Sequence, residues 1–306
     1  MVQTSIIILT KNAGREFEKT LKMVFNQKHD DFEVLIIDSG STDETLEIAR
    51  RYPTKITNIK PEEFHHSGTR NFAASMAQGK YLVFITQDAL PVDNNWLSSL
   101  LSPFSDPDVA GVYGGQTAYN SANIIEKFFY SYFYPDKGIS ISLLPENLED
   151  FYVDNVFLSD VNSAILKDVW GKHKFNEDII MAEDKDWAIQ MLKAGYKLVY
   201  EPRAAVYHSH NYNLVSAFKR RFDDAAAMSQ ICGNSSGTGS FKKGIKYIFG
   251  EMGYVLKNKP IWMPYTILYD LVKFSSLSLG KKEKYLPISF KKRISKHSGW
   301  WENAKK

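Results

Sequence analysis

The side chains best placed to do chemistry are Asp38, Asp88, the Glu183-Asp184 pair, and His208 with His210. Asp88 follows Tyr81-Leu82-Val83-Phe84-Ile85, five apolar residues that read as a strand buried on both faces. The run stops at Pro91, which cannot continue a central strand. A carboxylate just past the end of a buried strand stands where open α/β sheets place ligands, although aspartate also caps ordinary turns. Asp38 ends a second such run, Phe32 to Ile37. After it, Ser41 and Glu44 have the form of a capping box that does not need Asp38, which favours a functional role for that acid. Glu183, Asp184 and Asp186 fall within four positions at the start of a helical pattern running through Trp187, Ile189 and Leu192 to Gly195. The helix macrodipole stabilises acids there, but three exceed what capping requires. His208 and His210 close the strand-like run from Leu198 and, two apart, share a face. Arg220-Arg221 then offers either a phosphate contact or a solvated helix face.

The elements that position these groups alternate. Ser5–Leu9 reads as a first strand, with the polar loop Thr10 to Gly14 behind it. Arg15 to Asn26 carries Phe17, Leu21, Val24 and Phe25 at helical spacing. A third strand is expected at Lys55 to Ile59, then a helix opened by Phe64 to Asn71 and ended by Gly79 as a C-terminal glycine. Strand and helix in alternation predict a doubly wound, mostly parallel α/β sheet. Further on come a helix at Trp96 to Leu101, a strand at Val109 to Thr117 and another at Phe157 to Ile165. The aromatic stretch 119–150 reads as a core-facing helix and loop, with some residues lining an acceptor groove. No GxGxxG and no GxxxxGK[ST] follows any strand, so a dinucleotide fingerprint and a P-loop are both absent. Thr10, Asp38, Arg70 and Asp88 could still hold a nucleotide and a metal.

Composition bounds the class. The 306 residues have ordinary charge and apolar content for a soluble globular protein, enough for a catalytic domain at 1–232 and an extension at 233–306. The single cysteine, Cys232, excludes an internal disulfide and a multi-cysteine metal site and fits a reducing, cytoplasmic compartment. No secretory signal is expected, because Thr4 to Leu9 already reads as a core strand. Ile261 to Val272, interrupted by Pro264 and Asp270, is shorter than the ~20 residues that span a bilayer. Residues 281–306 hold nine Lys and Arg against two Glu, so the rest of the chain is net negative. Nucleic acid would call for a basic body as well as a basic tail, which argues against it as a partner. Asn234 to Ser240 reads as a flexible connector, and Phe241–Leu256 and Trp262–Leu279 as helices. Their aromatic residues should pack on the catalytic domain or form an oligomer interface, and the tail with Trp300-Trp301 should rest on a membrane surface.

Ile6-Ile7-Ile8-Leu9-Thr10-Lys11-Asn12, Val34 to Asp43, Gly68-Thr69-Arg70-Asn71 and Phe84 to Asp88 together resemble glycosyltransferase family 2. The likeness is greatest to its rhamnosyltransferase-like branch and covers the first 230 residues or so. It implies the GT-A fold. It also implies inverting transfer of L-rhamnose from dTDP-β-L-rhamnose to a hydroxyl of a glycan or lipid-linked saccharide in cell-surface polysaccharide synthesis. Carried over by position, it implies nucleotide-sugar contacts at Thr10, Asn12, Asp38, Ser39, Gly68, Arg70, Gln87 and Asp88, and Asp184 as general base. A Mg2+ or Mn2+ ion would sit on Asp88 and His208, with His210 the weaker second choice. The Asp-x-Asp metal motif of the fold stands here as Thr86-Gln87-Asp88, keeping only the last acid. The alternatives are a UDP-hexose or galactofuranose-type transferase of the same family, a sugar nucleotidyltransferase, and a non-catalytic binding module. Thr10 to Arg15 lacks the glycine-rich basic loop expected of a nucleotidyltransferase.

Overall fold

The computed structural model describes residues 2–142, 144, 158–232 and 238–303. Among the described residues nine strands form one sheet: β1 (Thr4–Thr10), β2 (Phe32–Asp38), β3 (Thr54–Asn58), β4 (Tyr81–Ile85), β5 (Leu90–Pro91), β6 (Val109–Thr117), β7 (Ser140–Ser142), β8 (Asn162–Leu166) and β9 (Lys197–Tyr207). Their order is β3-β2-β1-β4-β8-β6-β9-β5, with β7 also paired to β9. β1 to β4 are parallel, as expected. The second half is more mixed: β8 runs antiparallel to both β4 and β6. That reversal sets Asn162 beside Ile85, so the loop entering β8 lies at the carboxyl end of β4.

The helices are α1 (Glu16–Val24), α2 (Thr45–Ala49), α3 (His66–Met76), α4 (Trp96–Leu101), α5 (Ile124–Phe133), α6 (Lys167–Lys172), α7 (Glu183–Lys193), α8 (Leu214–Cys232), α9 (Thr238–Asn258), α10 (Met263–Gly280), α11 (Ile288–Ile294) and α12 (Trp300–Asn303). Alternate side chains of the central strands point to opposite faces and build two cores. Ile6, Ile8, Val34, Ile36 and Val83 pack with Phe17, Leu21, Ile48 and Trp96, placing α1, α2 and α4 on one face. Ile7, Leu35, Leu82 and Phe84 pack with Ala73, Ala74, Trp170 and Trp187, placing α3, α6 and α7 on the other.

Three local expectations are corrected. Ser41 and Glu44 form no capping box, since α2 starts at Thr45 without a side-chain cap. Ser41 instead donates its hydroxyl to Asp38 at 2.6 Å. Gly79 does not cap α3, which ends at Met76 with Ala77 extended behind it. It is glycine because a Cβ there would sit 2.6 Å from the backbone of Thr4 and Ser5. Of the connector, Thr238 to Ser240 already belong to α9, while residues 233–237 lie outside the described residues. Part of the aromatic stretch (143 and 145–150), and Phe157 of the strand expected there, also lie outside them.

The tail is placed differently from its expectation. Trp301 is 3% exposed and packs against Phe222 of α8, while Trp300 stacks on His65 at 4.9 Å. The backbone N–H of Lys296 donates to Asp223 at 2.7 Å, pinning the segment before α12 to α8. Trp300-Trp301 is therefore an internal clamp and not a surface anchor. Of the aromatic residues of α9 and α10, the tyrosines pack inward: Phe128 of α5 meets Tyr247 and Tyr254, and Tyr269 is 4% exposed, whereas Phe249 and Phe274 stay open to solvent.

Candidate active site

At the carboxyl ends of β1, β2 and β4 the loops are tied to one another before any ligand arrives. Asp38 is fully buried and accepts from the Thr10 hydroxyl, the Ser41 hydroxyl and the backbone N–H groups of Gly40 and Ser41. Asn12 takes a left-handed φ of 46°, which asparagine tolerates, and its side-chain oxygen accepts from Thr42 N–H at 2.8 Å. Ser39 donates its hydroxyl to the Thr10 carbonyl. Gln87 clasps Lys11 through both its backbone N–H and its carbonyl, joining the β4 loop to the β1 loop. Thr10, Asn12, Asp38, Ser39 and Gln87 thus converge on one rim.

Arg70 and Gly68 sit below that rim. Arg70 reaches from α3 to two carboxylates, Glu183 at 2.6 Å and Asp160 at 3.0 Å. With Leu9, Thr86 and Asp160 it lines a cavity of about 20 Å³, room for a single water. Its charge is therefore engaged by the acids of the catalytic side and is not free at the loops. Gly68 lies in the first turn of α3, where His65 Nδ1 accepts its N–H and Glu177 stands 3.5 Å from where a Cβ would be.

The second acidic centre opens α7. Ala182, just before it, is held at φ 65°, a strained conformation for a residue with a Cβ. This turn aims Glu183 at Arg70 and leaves Asp184 accepting from Asp160 N–H at 3.1 Å and from Lys185 N–H at 2.8 Å. Each Asp184 oxygen keeps a lone pair. Burial, reinforced by the like charge of Glu183, raises the Asp184 carboxyl above the ordinary range.

Asp88, His208 and His210 form the third centre, their ligand atoms all within 4.8 Å of one another. His208 Nε2 lies 3.7 Å and His210 Nε2 3.5 Å from the two Asp88 oxygens. Burial lowers both imidazoles, His208 to about 4, so both are neutral at physiological pH, as metal ligands must be. Burial alone would raise Asp88, but the two histidines beside it hold it below the usual value. Behind His208, Nδ1 lies 3.1 Å from the Gln116 side-chain oxygen and 3.0 Å from the Tyr130 hydroxyl. An amide oxygen only accepts, so Nδ1 carries the proton and Nε2 presents its lone pair toward Asp88. One carboxylate and two imidazoles suit a divalent first-row cation, leaving positions for a ligand's own oxygens. The donor set fits such an ion.

A hydrogen-bonded path connects the metal-type centre to Asp184. Gln116 donates its amide N–H to the Ser159 hydroxyl, and the next residue, Asp160, donates its backbone N–H to Asp184. Sequence reasoning assigns Gln116, Ser159 and Asp160 no individual role, although Ser159 and Asp160 fall in the strand expected at Phe157 to Ile165. Their importance comes from the antiparallel entry of β8, a long-range pairing that no local pattern announces.

With this geometry in view, comparison with known proteins is informative. The profile described as Glycosyl transferase family 2 matches residues 5–165. The chain belongs to glycosyltransferase family 2. The transferase is 34% identical over 309 residues to the O-antigen chain rhamnosyltransferase WbaN of Salmonella anatum, covering 99% of this chain and 97% of that one. It is 33% identical to the O-antigen chain rhamnosyltransferase RfbN of Salmonella typhimurium over a similar span. Among solved structures it resembles the mannosyltransferase PcManGT of Pyrobaculum calidifontis, determined with GDP-Man and Mn2+, at a TM-score of 0.63. Identity there is 15%, over 93% of this chain and 88% of that one, a likeness of fold. The GT-A architecture read from the motifs is the one observed.

Proposed function

We propose that this glycosyltransferase moves L-rhamnose, with inversion, from dTDP-β-L-rhamnose to a hydroxyl of a glycan or lipid-linked saccharide in cell-surface polysaccharide synthesis. The donor assignment is supported by near full-length likeness to two proteins named as O-antigen rhamnosyltransferases. The observation that carries the mechanism is Asp184, a half-buried carboxylate of raised proton affinity, joined through Asp160, Ser159 and Gln116 to the Asp88–His208–His210 centre.

Thr10, Asn12, Asp38, Ser39 and Gln87 frame the nucleotide, with Gly68 and Arg70 supporting the site from α3. Arg70 does so by pairing with Glu183 and Asp160, the two acids that flank Asp184 in this centre. The acceptor oxygen attacks the anomeric carbon as the bond from that carbon to the diphosphate oxygen breaks on the opposite face. The hydroxyl proton passes to Asp184 as the oxygen attacks, and the leaving group departs as dTDP. Asp88, His208 and His210 would hold Mn2+ or Mg2+, which when bound neutralises charge gathering on the leaving diphosphate. The imidazole ligands favour Mn2+ over Mg2+, which prefers oxygen. Work on such an acceptor places the enzyme at the inner face of the cell membrane, held there through its C-terminal extension.

Asp184→Asn tests the base. It should bind dTDP-rhamnose with unchanged affinity by calorimetry while transfer falls by about 10²–10⁴-fold. Transfer at the parent rate would remove Asp184 from the mechanism, and stabilisation by UDP-sugars but not by dTDP-rhamnose would overturn the donor.

A further inference from the structure

The hairpin of α9 and α10 has a charge pattern that the transfer reaction does not use. Between residues 238 and 282 the sequence holds only two acids, Glu251 and Asp270. Both are buried, and Lys273 lies against them at 3.9 and 3.0 Å. Among the described residues, the exposed charges of the hairpin and its exit are therefore all lysines: Lys242, Lys246, Lys257, Lys259, Lys281 and Lys282. Beside them stand large apolar side chains open to solvent. Phe249 is 71% exposed and Leu256 58% on α9, Leu271 59% and Phe274 62% on α10, and Ile261 at the hairpin tip 84%. Phe249 and Leu256 are seven apart and Leu271 and Phe274 three apart, so each pair lies on one helix face. Val272, next along α10, borders an open apolar groove of about 370 Å³ that also includes Leu214, Phe218 and Ile294, with Lys219 and Arg293 in its lining.

Exposed apolar patches of this kind mark interaction sites. The charge decides the partner. A second copy of this chain would set lysine against lysine, whereas an anionic bilayer offers negative headgroups above an apolar interior. No helix among the described residues is long and apolar enough to cross that interior, so the contact is one of lying on the surface. We propose that the α9–α10 hairpin docks on an anionic phospholipid surface, Ile261, Phe249, Leu271 and Phe274 entering the headgroup layer and the lysines meeting lipid phosphates. This rests on the reading that the extension meets a membrane, and it names the face that does so. The tail aromatics Trp300-Trp301, clamped on α8 and His65, are not that face. Each lysine near an anionic leaflet strengthens attachment roughly fivefold, and salt screens this contribution.

The test is flotation of the full chain with phosphatidylcholine vesicles, with and without phosphatidylglycerol, for the parent and for Ile261→Asp/Leu271→Glu/Phe274→Glu. These positions are exposed, so the variant should keep the parent melting temperature and its transfer rate to a soluble acceptor. The parent should float with phosphatidylglycerol vesicles, less so at high salt, and the variant's partitioning should fall at least about tenfold. If the variant floats as the parent does, this face is wrong while membrane attachment by another part of the extension stands. If the parent floats with neither vesicle, both readings fall. A parent dimer that the variant splits, with no flotation, would make the face an oligomer interface and overturn the lipid assignment.

Discussion

Gln116 gives the sharpest test of how the metal-type centre is held. It is 4% exposed, and its oxygen stands 3.1 Å from His208 Nδ1. Gln116→Leu keeps the volume and removes the one partner, among the described residues, that must accept from that nitrogen. The Tyr130 hydroxyl, 3.0 Å from the same atom, can either donate or accept. With Gln116 gone, Tyr130 can donate to Nδ1 and draw the proton to Nε2, the nitrogen needed for the ion. Losing the group that orients a ligating histidine costs about 10–100-fold in metal affinity, or about 1.4–2.8 kcal/mol. Tyr130→Phe removes one neutral hydrogen bond of about 0.5–1.5 kcal/mol net and leaves the tautomer fixed by Gln116, so its effect should stay within about tenfold. Gln116→Glu, which still accepts from Nδ1–H, should recover most of the affinity. The measurement is Mn2+ titration by calorimetry with a nucleoside diphosphate present, on variants first shown to be folded. A larger loss for Tyr130→Phe than for Gln116→Leu would place the proton on Nε2 and refute His208 Nε2 as a ligand atom.

Two further outcomes follow from burial. Asp184 must be ionised to accept a proton, and burial with Glu183 nearby raises its carboxyl, so kcat/KM should fall as the pH drops while still above about 4, the ordinary carboxylate value. Glu183→Gln removes the like charge and should move that acid limb to lower pH; a pH profile with an unmoved limb contradicts the assignment. Gly280 of α10 lies so close to α8 that a Cβ would stand 2.5 Å from the Phe222 carbonyl oxygen and 2.6 Å from Ala225 Cβ. Gly280→Ala should therefore lower stability by about 1–3 kcal/mol in denaturant unfolding, and an unchanged midpoint would show that the helices do not cross so tightly.

Much of the nucleotide half was legible because its strands are buried on both faces. Ile6-Ile7-Ile8 feeds both cores at once, and only a central strand needs so continuous an apolar run. The acids and histidines were legible as charges at the ends of such runs, where burial without purpose is costly. What escaped was decided by distant pairing. Ser41 has the local form of a helix cap, yet Asp38, reached through the β2 turn, takes its hydroxyl. Gly79 has the form of a helix terminator, but β1 pressing on it sets the requirement. Arg70 reads as a nucleotide-sugar contact by its place in a motif, but no local pattern names its salt-bridge partners, Asp160 and Glu183, 90 and 113 positions away in sequence. Trp300-Trp301 beside lysines reads as a surface anchor until α8 supplies Phe222 and α3 supplies His65.

The reversal of β8 explains why the two halves of the chemistry meet. A parallel β8 would begin at the opposite edge of the sheet, far from the carboxyl end of β4. Running antiparallel, it brings Ser159 and Asp160 to that end, where one touches Gln116 behind His208 and the other touches Asp184. The Asp88–His208–His210 cluster, through Gln116, and Asp184 are thus tied to the same two consecutive residues. Their spacing is thereby coupled to one segment of chain, whereas independent loops would let them drift apart. Catalysis by positioning loses rate steeply with misplacements of an ångström. The side chain of Asn162 bonds Trp96, Gly115 and Ala204 at the start of β8, so the strand that carries both contacts is itself anchored from three sides.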